Sequence, residues 1–152
     1  MYEAKFLMGA IAGSLAENGK IGYIADYPIM GMIANINAFA FGAKMVNPRA
    51  KIYLEWSTLK NSNPEKTFLE NDIHYISGRD MIIPGEGTRH FGLYHSEENT
   101  PLNLAMPIWH WGKFYEKMLE NIIDGTWKDE DTSDKSKGLN YWWGMSSGMI
   151  DV

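Results

Sequence analysis

Asp26, Tyr27 and Pro28 follow directly on the apolar run Lys20-Ile21-Gly22-Tyr23-Ile24-Ala25. A short β-branched run bounded by Gly19 and Pro28 reads as a buried strand that ends in a ligand-facing turn. In an open α/β sheet, ligands sit outside the carboxyl ends of the strands, where these three residues fall. Asp80, with Arg79 beside it, ends a later apolar run in the same way; it reads either as a ligand acceptor or as a surface ion pair of small worth. Trp109-His110-Trp111 stands between an extended run and a helix start. Its rings could stack on a flat ligand or fill a seam between helix and sheet. His74, His90, His95 and His110 show neither i,i+4 pairing nor an HExxH pattern, so no metal site is expected. Gly85-Glu86-Gly87 lacks the following GK[ST] of a phosphate loop, and Ser146-Ser147-Gly148 lacks a G-x-S-x-G elbow. The residues therefore point to recognition, with no catalytic residue, metal or cofactor expected.

These side chains need a scaffold, and the chain supplies alternating signals. Tyr2 to Asn18 has helical spacing, with a stripe of Phe6, Ala10, Ile11 and Leu15, while Gly9, Ala12 and Gly13 permit close approach of another element. A strand is predicted over Lys20 to Tyr27, then a helix from about Gly31 to Met45 with Ile33, Ile36, Ala40 and Phe41 inward. Lys51 to Ser57 alternates as a second strand. Asn63-Pro64 opens a short helix as N-cap and first helical residue. Ile73 to Ile76 and Phe91 to Tyr94 read as third and fourth strands. Strand and helix in alternation predict an α/β fold with a parallel sheet. Asn103 to Trp111 is extended, and Gly112 to Ile123 is amphipathic, with Phe114, Tyr115, Met118, Leu119, Ile122 and Ile123 on or beside one face. Residues 128–138 are expected to be a mobile charged loop. The tail from Leu139 to Val152 should pack back as a strand or hairpin.

The 152 residues, 45% hydrophobic, suit one domain or one lobe of something longer, and the chain begins inside a helical pattern. A net charge of −5 without a basic run excludes an electrostatic nucleic-acid footprint. The absence of cysteine excludes disulfides and thiolate chemistry. An aromatic share of 13% fits an apolar yet hydrogen-bonding cleft or interface, or an aromatic core.

Several collinear segments resemble a known family. They are Tyr2-Glu3-Ala4-Lys5-Phe6-Leu7-Met8-Gly9-Ala10-Ile11-Ala12-Gly13, Lys20 to Ala25, Ile36-Asn37-Ala38-Phe39-Ala40-Phe41-Gly42-Ala43, Pro107 to Tyr115, Gly125-Thr126-Trp127-Lys128 and Trp143 to Asp151. Together they are similar to the basic membrane protein (BMP/Med/PnrA-like) family of substrate-binding lipoproteins of ABC importers, related to purine-nucleoside receptors. The resemblance implies a Rossmann-like lobe of a type I periplasmic-binding fold over 1–152, the C-terminal half of a two-lobed protein. It implies as partners a small purine-like ligand, the N-terminal lobe of the same protein and an ABC permease. It also implies an extracytoplasmic, membrane-anchored setting. Tyr27 and Pro28 match the cleft-lining turn, and with Asp80, Tyr94, His95 and Trp109 they form the expected contact set. Gly92 to Glu97 stands where nucleoside-binding members carry an aspartate-rich stretch. Pro107, Ile108 and Trp109 stand near where those members carry a lysine. The implied ligand is thus a small, flat, polar solute such as a purine base or nucleoside. A ligand-sensing receptor domain for signalling or transcriptional regulation would use the same fold.

Overall fold

The computed structural model describes residues 1–80, 89–97, 101–125 and 143–152. The expected loop over 128–138 lies outside them, as do Gly85, Glu86, Gly87, Tyr141 and Trp142. The chain divides into two units, Met1–Pro107 with Val152, and Ile108–Asp151.

The first unit is an α/β layer built on a five-stranded sheet. Helix α1 (Tyr2–Leu15) leads into β1 (Lys20–Ala25), followed by α2 (Met30–Val46), β2 (Lys51–Trp56), α3 (Pro64–Glu70), β3 (Tyr75–Ser77), β4 (Leu93–His95) and β5 (Leu102–Ala105). The spatial order is β2-β1-β3-β4-β5. β1 pairs in parallel with β2, Ile21 opposite Ile52, and with β3, Tyr23 opposite Ser77.

β4 and β5 correct the expectation of an all-parallel sheet, since each runs antiparallel to its neighbour. Chain ends explain this. The Gly78 amide donates to the Gly92 carbonyl at 2.8 Å, and the Gly92 amide donates back to Arg79. β4 starts within sixteen residues of the end of β3 and pairs back on it antiparallel, whereas a parallel return needs a long crossover. Gly92 holds a positive φ of +61°, and a Cβ there would lie 2.3 Å from the Ala105 carbonyl oxygen. Only glycine lets β5 close on this corner.

Residues alternate between the sheet faces. On one face Ile21, Tyr23, Ala25 and Leu93 meet Met8, Ala12, Phe39 and Ala43 of α1 and α2. Tyr23 and Phe39 pack edge to face at 5.2 Å. On the other face Ile76 and Tyr94 meet Phe68 of α3 and Ile73. Burial of Phe68 alone contributes about 1.5–3 kcal/mol. α3 is started as predicted: the Asn63 side chain accepts the Lys66 amide at 3.2 Å, with Pro64 at the first position.

The α1 stripe differs from its predicted one. The buried residues are Ala4, Lys5, Met8, Gly9, Ala12 and Gly13, while Leu15 is exposed. In α2 the buried residues are Phe39, Gly42 and Ala43, and Phe41 and Ile33 point outward. Backbone contact decides this. A Cβ on Gly9 would fall 2.0 Å from the Phe39 carbonyl oxygen, and one on Gly42 would fall 2.0 Å from that of Phe6. The helices pack through their small residues, so bulkier neighbours are turned away.

The second unit is described by itself. It holds β6 (Ile108–Trp109), α4 (Trp111–Ile123), a 3₁₀ turn (Met145–Ser147) and β7 (Ile150–Asp151). β6 and β7 form an antiparallel ribbon, with Trp109 opposite Ile150. The predicted return of the tail is thus realised over its described part. α4 is amphipathic but buries no residue, and Trp111, Tyr115, Leu119 and Ile122 are exposed along it.

Candidate functional site

The carboxyl ends of β1, β2 and β3 converge in the first unit. The Ser57 amide extends the ladder to the Ala25 carbonyl at 2.8 Å. Just beyond, the Ser57 hydroxyl donates to Asp26 Oδ1, and the Thr58 hydroxyl donates to the Asp26 carbonyl at 2.5 Å. Asp26 is thereby fixed by the neighbouring loop. Tyr27 is 62% exposed, and Pro28, Ile29 and Met30 follow it outward at the start of α2. No side chain caps that helix end. An exposed phenol beside an anchored carboxylate can stack on a flat solute and accept its hydrogen bonds.

Asp80 lies past the end of β3, and its main partner comes from an unexpected place. Lys5 of α1 is fully buried, and its ammonium lies 2.5 Å from Asp80 Oδ1 and 3.0 Å from the Ser77 hydroxyl. It also sits 5.1 Å from the centre of the Tyr23 ring. Asp80 Oδ1 is buried, and its compensation is the Lys5 charge. The Asp80 side chain keeps 19% of its surface. Burial pushes the Lys5 ammonium below its ordinary value, and Asp80 opposes that shift by charge and hydrogen bond. Burial, then the fields of Asp80 and Asp26, push the Tyr23 phenol up. Desolvation is the larger effect on both groups.

Of the expected contacts, Tyr27, Pro28 and Asp80 share this end of the sheet. Tyr94 does not join them. It is wholly buried against α3, and its hydroxyl donates to Glu65 at 3.0 Å. Its place in the apolar cluster of Phe68 and Ile76 makes it a core residue. Burial, reinforced by Glu65, pushes its phenol up. His95 also lies elsewhere, because β4 runs antiparallel and carries it to the amino end of the parallel strands, opposite Tyr75.

At that amino end His95 packs on Tyr75 at 4.6 Å between ring centres. The Asn18 amide donates to the Asp72 carbonyl and to its carboxylate at 2.8 and 3.0 Å, and Lys20 Nζ donates to the Asn71 carbonyl. His74 is tied to the Ser96 carbonyl through Nδ1. An open hollow of about 300 Å³ is lined by Asn18, Asp72, His74, Tyr75 and His95. Hydrogen bonds of Asn18 and His74 hold the Asp72 carboxyl below its ordinary value.

Trp109 belongs to the second unit. It stacks on Trp111 at 5.6 Å and 12°, and with Phe114, Trp143 and Met149 it lines a cavity of about 160 Å³. Among the described residues no cluster of three metal-ligating side chains exists. Lys5 is the site residue that sequence reasoning missed. Its signal was position: it continues the Gly9–Gly13 row at four-residue spacing, on the most tightly packed side of α1.

Comparison with known proteins agrees with this architecture. A protein of Haloferax volcanii, provisionally named ABC transporter glucose-binding protein TsgA13, is 29% identical over 98% of this chain and 39% of its own length. The purine-binding protein BAB2_0673 of Brucella abortus is 25% identical over 99% of this chain and 44% of its own. The chain thus spans about two-fifths of the length of the curated relatives it matches. The family profile of PnrA-like ABC transporter substrate-binding proteins covers residues 1–106, from α1 through β5 and so through both Lys5 and Asp80. On that match, the chain belongs to the PnrA-like family of ABC transporter substrate-binding proteins.

Proposed function

We propose that this chain is one lobe of the solute-binding component of an ABC importer. It acts with a second lobe that closes over the carboxyl ends of β1, β2 and β3. The observation that carries the reading is the exposed Tyr27 ring following the anchored Asp26, at the same strand ends as Asp80, in a chain of this family. The ligand is a small, flat, polar solute, a purine base or nucleoside before a sugar, because Tyr27 offers a stacking face. Binding occurs without turnover. The complete polypeptide works outside the cytoplasm as a membrane-anchored lipoprotein and hands its ligand to a permease. One lobe supplies only part of the contacts and does not exclude water from the ligand, so tight binding needs both.

The test is calorimetric titration of a two-lobed polypeptide carrying this lobe, with this chain alongside, against adenine, adenosine and glucose. Micromolar or tighter binding of a purine by the two-lobed form, with at least hundredfold weaker binding by this chain, is the expected result. Tight binding of glucose without purine would move the ligand class, and silence toward all three would overturn the reading.

A further inference from the structure

β2 ends the sheet and pairs with β1 alone. The Lys51 amide donates to the Gly19 carbonyl and the Ser57 amide to that of Ala25, both at 2.8 Å. By strand alternation the backbone groups of residues 51, 53, 55 and 57 therefore face β1. Those of Ile52 and Leu54 point outward, where they have no hydrogen bond among the described residues. An edge of this kind is a template for another strand. Its side chains divide by face, with Lys51, Tyr53 and Glu55 on one and Ile52, Leu54 and Trp56 on the other. Ile52 and Trp56 pack on the core, whereas Tyr53 and Leu54 are exposed. Lys51 and Glu55 share a face, yet the strand holds them roughly 13 Å apart, too far to pair with each other. Neither forms an ion pair among the described residues.

We propose that the outer edge of β2 is an interface with a second copy of this chain, an antiparallel two-fold pairing centred on Tyr53. In that register Lys51 lies opposite Glu55 of the second copy, Glu55 opposite Lys51, and Ile52 opposite Leu54. The outward groups of Ile52 and Leu54 become the hydrogen-bonded pairs. The Lys51–Glu55 and Tyr53–Tyr53 contacts fall on the closer, non-hydrogen-bonded pairs, with Cα atoms about 4.5 Å apart. Centred on Ile52 or Leu54, the same ladder sets Lys51 opposite Tyr53 or Ser57, and both Lys51–Glu55 pairs are lost. Charges of one sign on an edge repel a second strand. Opposite signs placed evenly about Tyr53 attract one and fix its register. A two-fold pairing also closes on itself, so it stops at the dimer. The opposite edge, β5, is four residues long and uncharged, and selects nothing in this way. The dimer joins two five-stranded sheets into one and is independent of the ligand.

The test is sedimentation velocity of this chain over a hundredfold range of concentration, with charge-swapped variants alongside. The unmodified chain should pass from monomer to dimer and no further. Lys51→Glu and Glu55→Lys each set like charges opposite one another twice, and each should weaken the dimer at least tenfold. An equimolar mixture of the two variants restores both ion pairs between unlike chains. It should dimerise within threefold of the unmodified chain, a recovery that damage to the fold would not give. The double variant Lys51→Glu with Glu55→Lys carries the exchanged pair in one chain and should dimerise alone, which keeps the comparison should a single variant fail to fold. Amide hydrogen exchange reads the edge itself: on dimerisation the Ile52 and Leu54 amides should slow at least tenfold more than that of Tyr53, which β1 already holds. A monomer at every concentration would overturn the proposal. So would a dimer that neither single variant weakens, or folded variants whose mixture associates no better than each alone.

Discussion

The two ends of the parallel strands are both polar, yet they are polar in different ways. At the amino end, Asn18, Lys20 and His74 spend their hydrogen bonds on the backbone of residues 71, 72 and 96. These groups knit the α1–β1 turn to the approach to β3, and they do so in contact with water. At the carboxyl end a lysine is buried with an aspartate that keeps 19% of its side-chain surface, and the Tyr27 ring stands exposed. Local ties of the first kind make a fold. A buried charge is costly by itself, since desolvation opposes it. It stands at the end where ligands bind in open α/β sheets.

The largest way to break this contrast is Lys5→Ala. It leaves Asp80 without its counter-charge and opens a cavity, and it should cost about 3–5 kcal/mol by urea denaturation. A loss below about 1 kcal/mol would mean that the pair is solvated like the amino end. The two ends should also fail at opposite pH. The Tyr23 phenol is raised in the fold, so its contribution is full below the ordinary tyrosine value near 10 and is lost as pH rises beyond it. Tyr23→Phe keeps the ring over Lys5 and should make the alkaline limb of the stability curve shallower, the buried Tyr94 phenol supplying the remainder. The smallest effects belong to the amino end. Asn18→Ala should stay within about 1 kcal/mol at neutral pH. Because the Asp72 carboxyl is lowered in the fold, its contribution is present above the ordinary carboxylate range and lost as pH falls through it. Asp72→Asn should therefore flatten only the acid limb. An acid limb unchanged by that variant would show that the Asn18–Asp72 tie does not couple to folding.

What was legible in the sequence was local. β1 and its turn, the Asn63–Pro64 helix start and the small-residue side of α1 are set by neighbours a few positions apart, and each is found where the pattern placed it. The direction of β4 depends on Gly78 meeting Gly92, a contact between distant residues that no periodicity encodes. That one reversal moved His95 to the far end. Tyr94 packs on Phe68 instead of facing the strand ends, and an aromatic near a strand end looks alike in sequence in either setting. Of the apolar faces predicted for α1 and α2, Ile11 and Ile36 pack on the core, whereas backbone contact at Gly9 and Gly42 turns Phe41 outward.

That contact has a mechanical consequence. α1 carries Lys5 and so sets where Asp80 stands, while α2 begins at Met30, three residues past Tyr27. With Gly9 against the Phe39 carbonyl and Gly42 against that of Phe6, neither helix can slide or roll without the other. The pair behaves as the body of a caliper whose jaws are the carboxylate and the ring. Strain applied to either helix would therefore be felt at both the carboxylate and the Tyr27 turn.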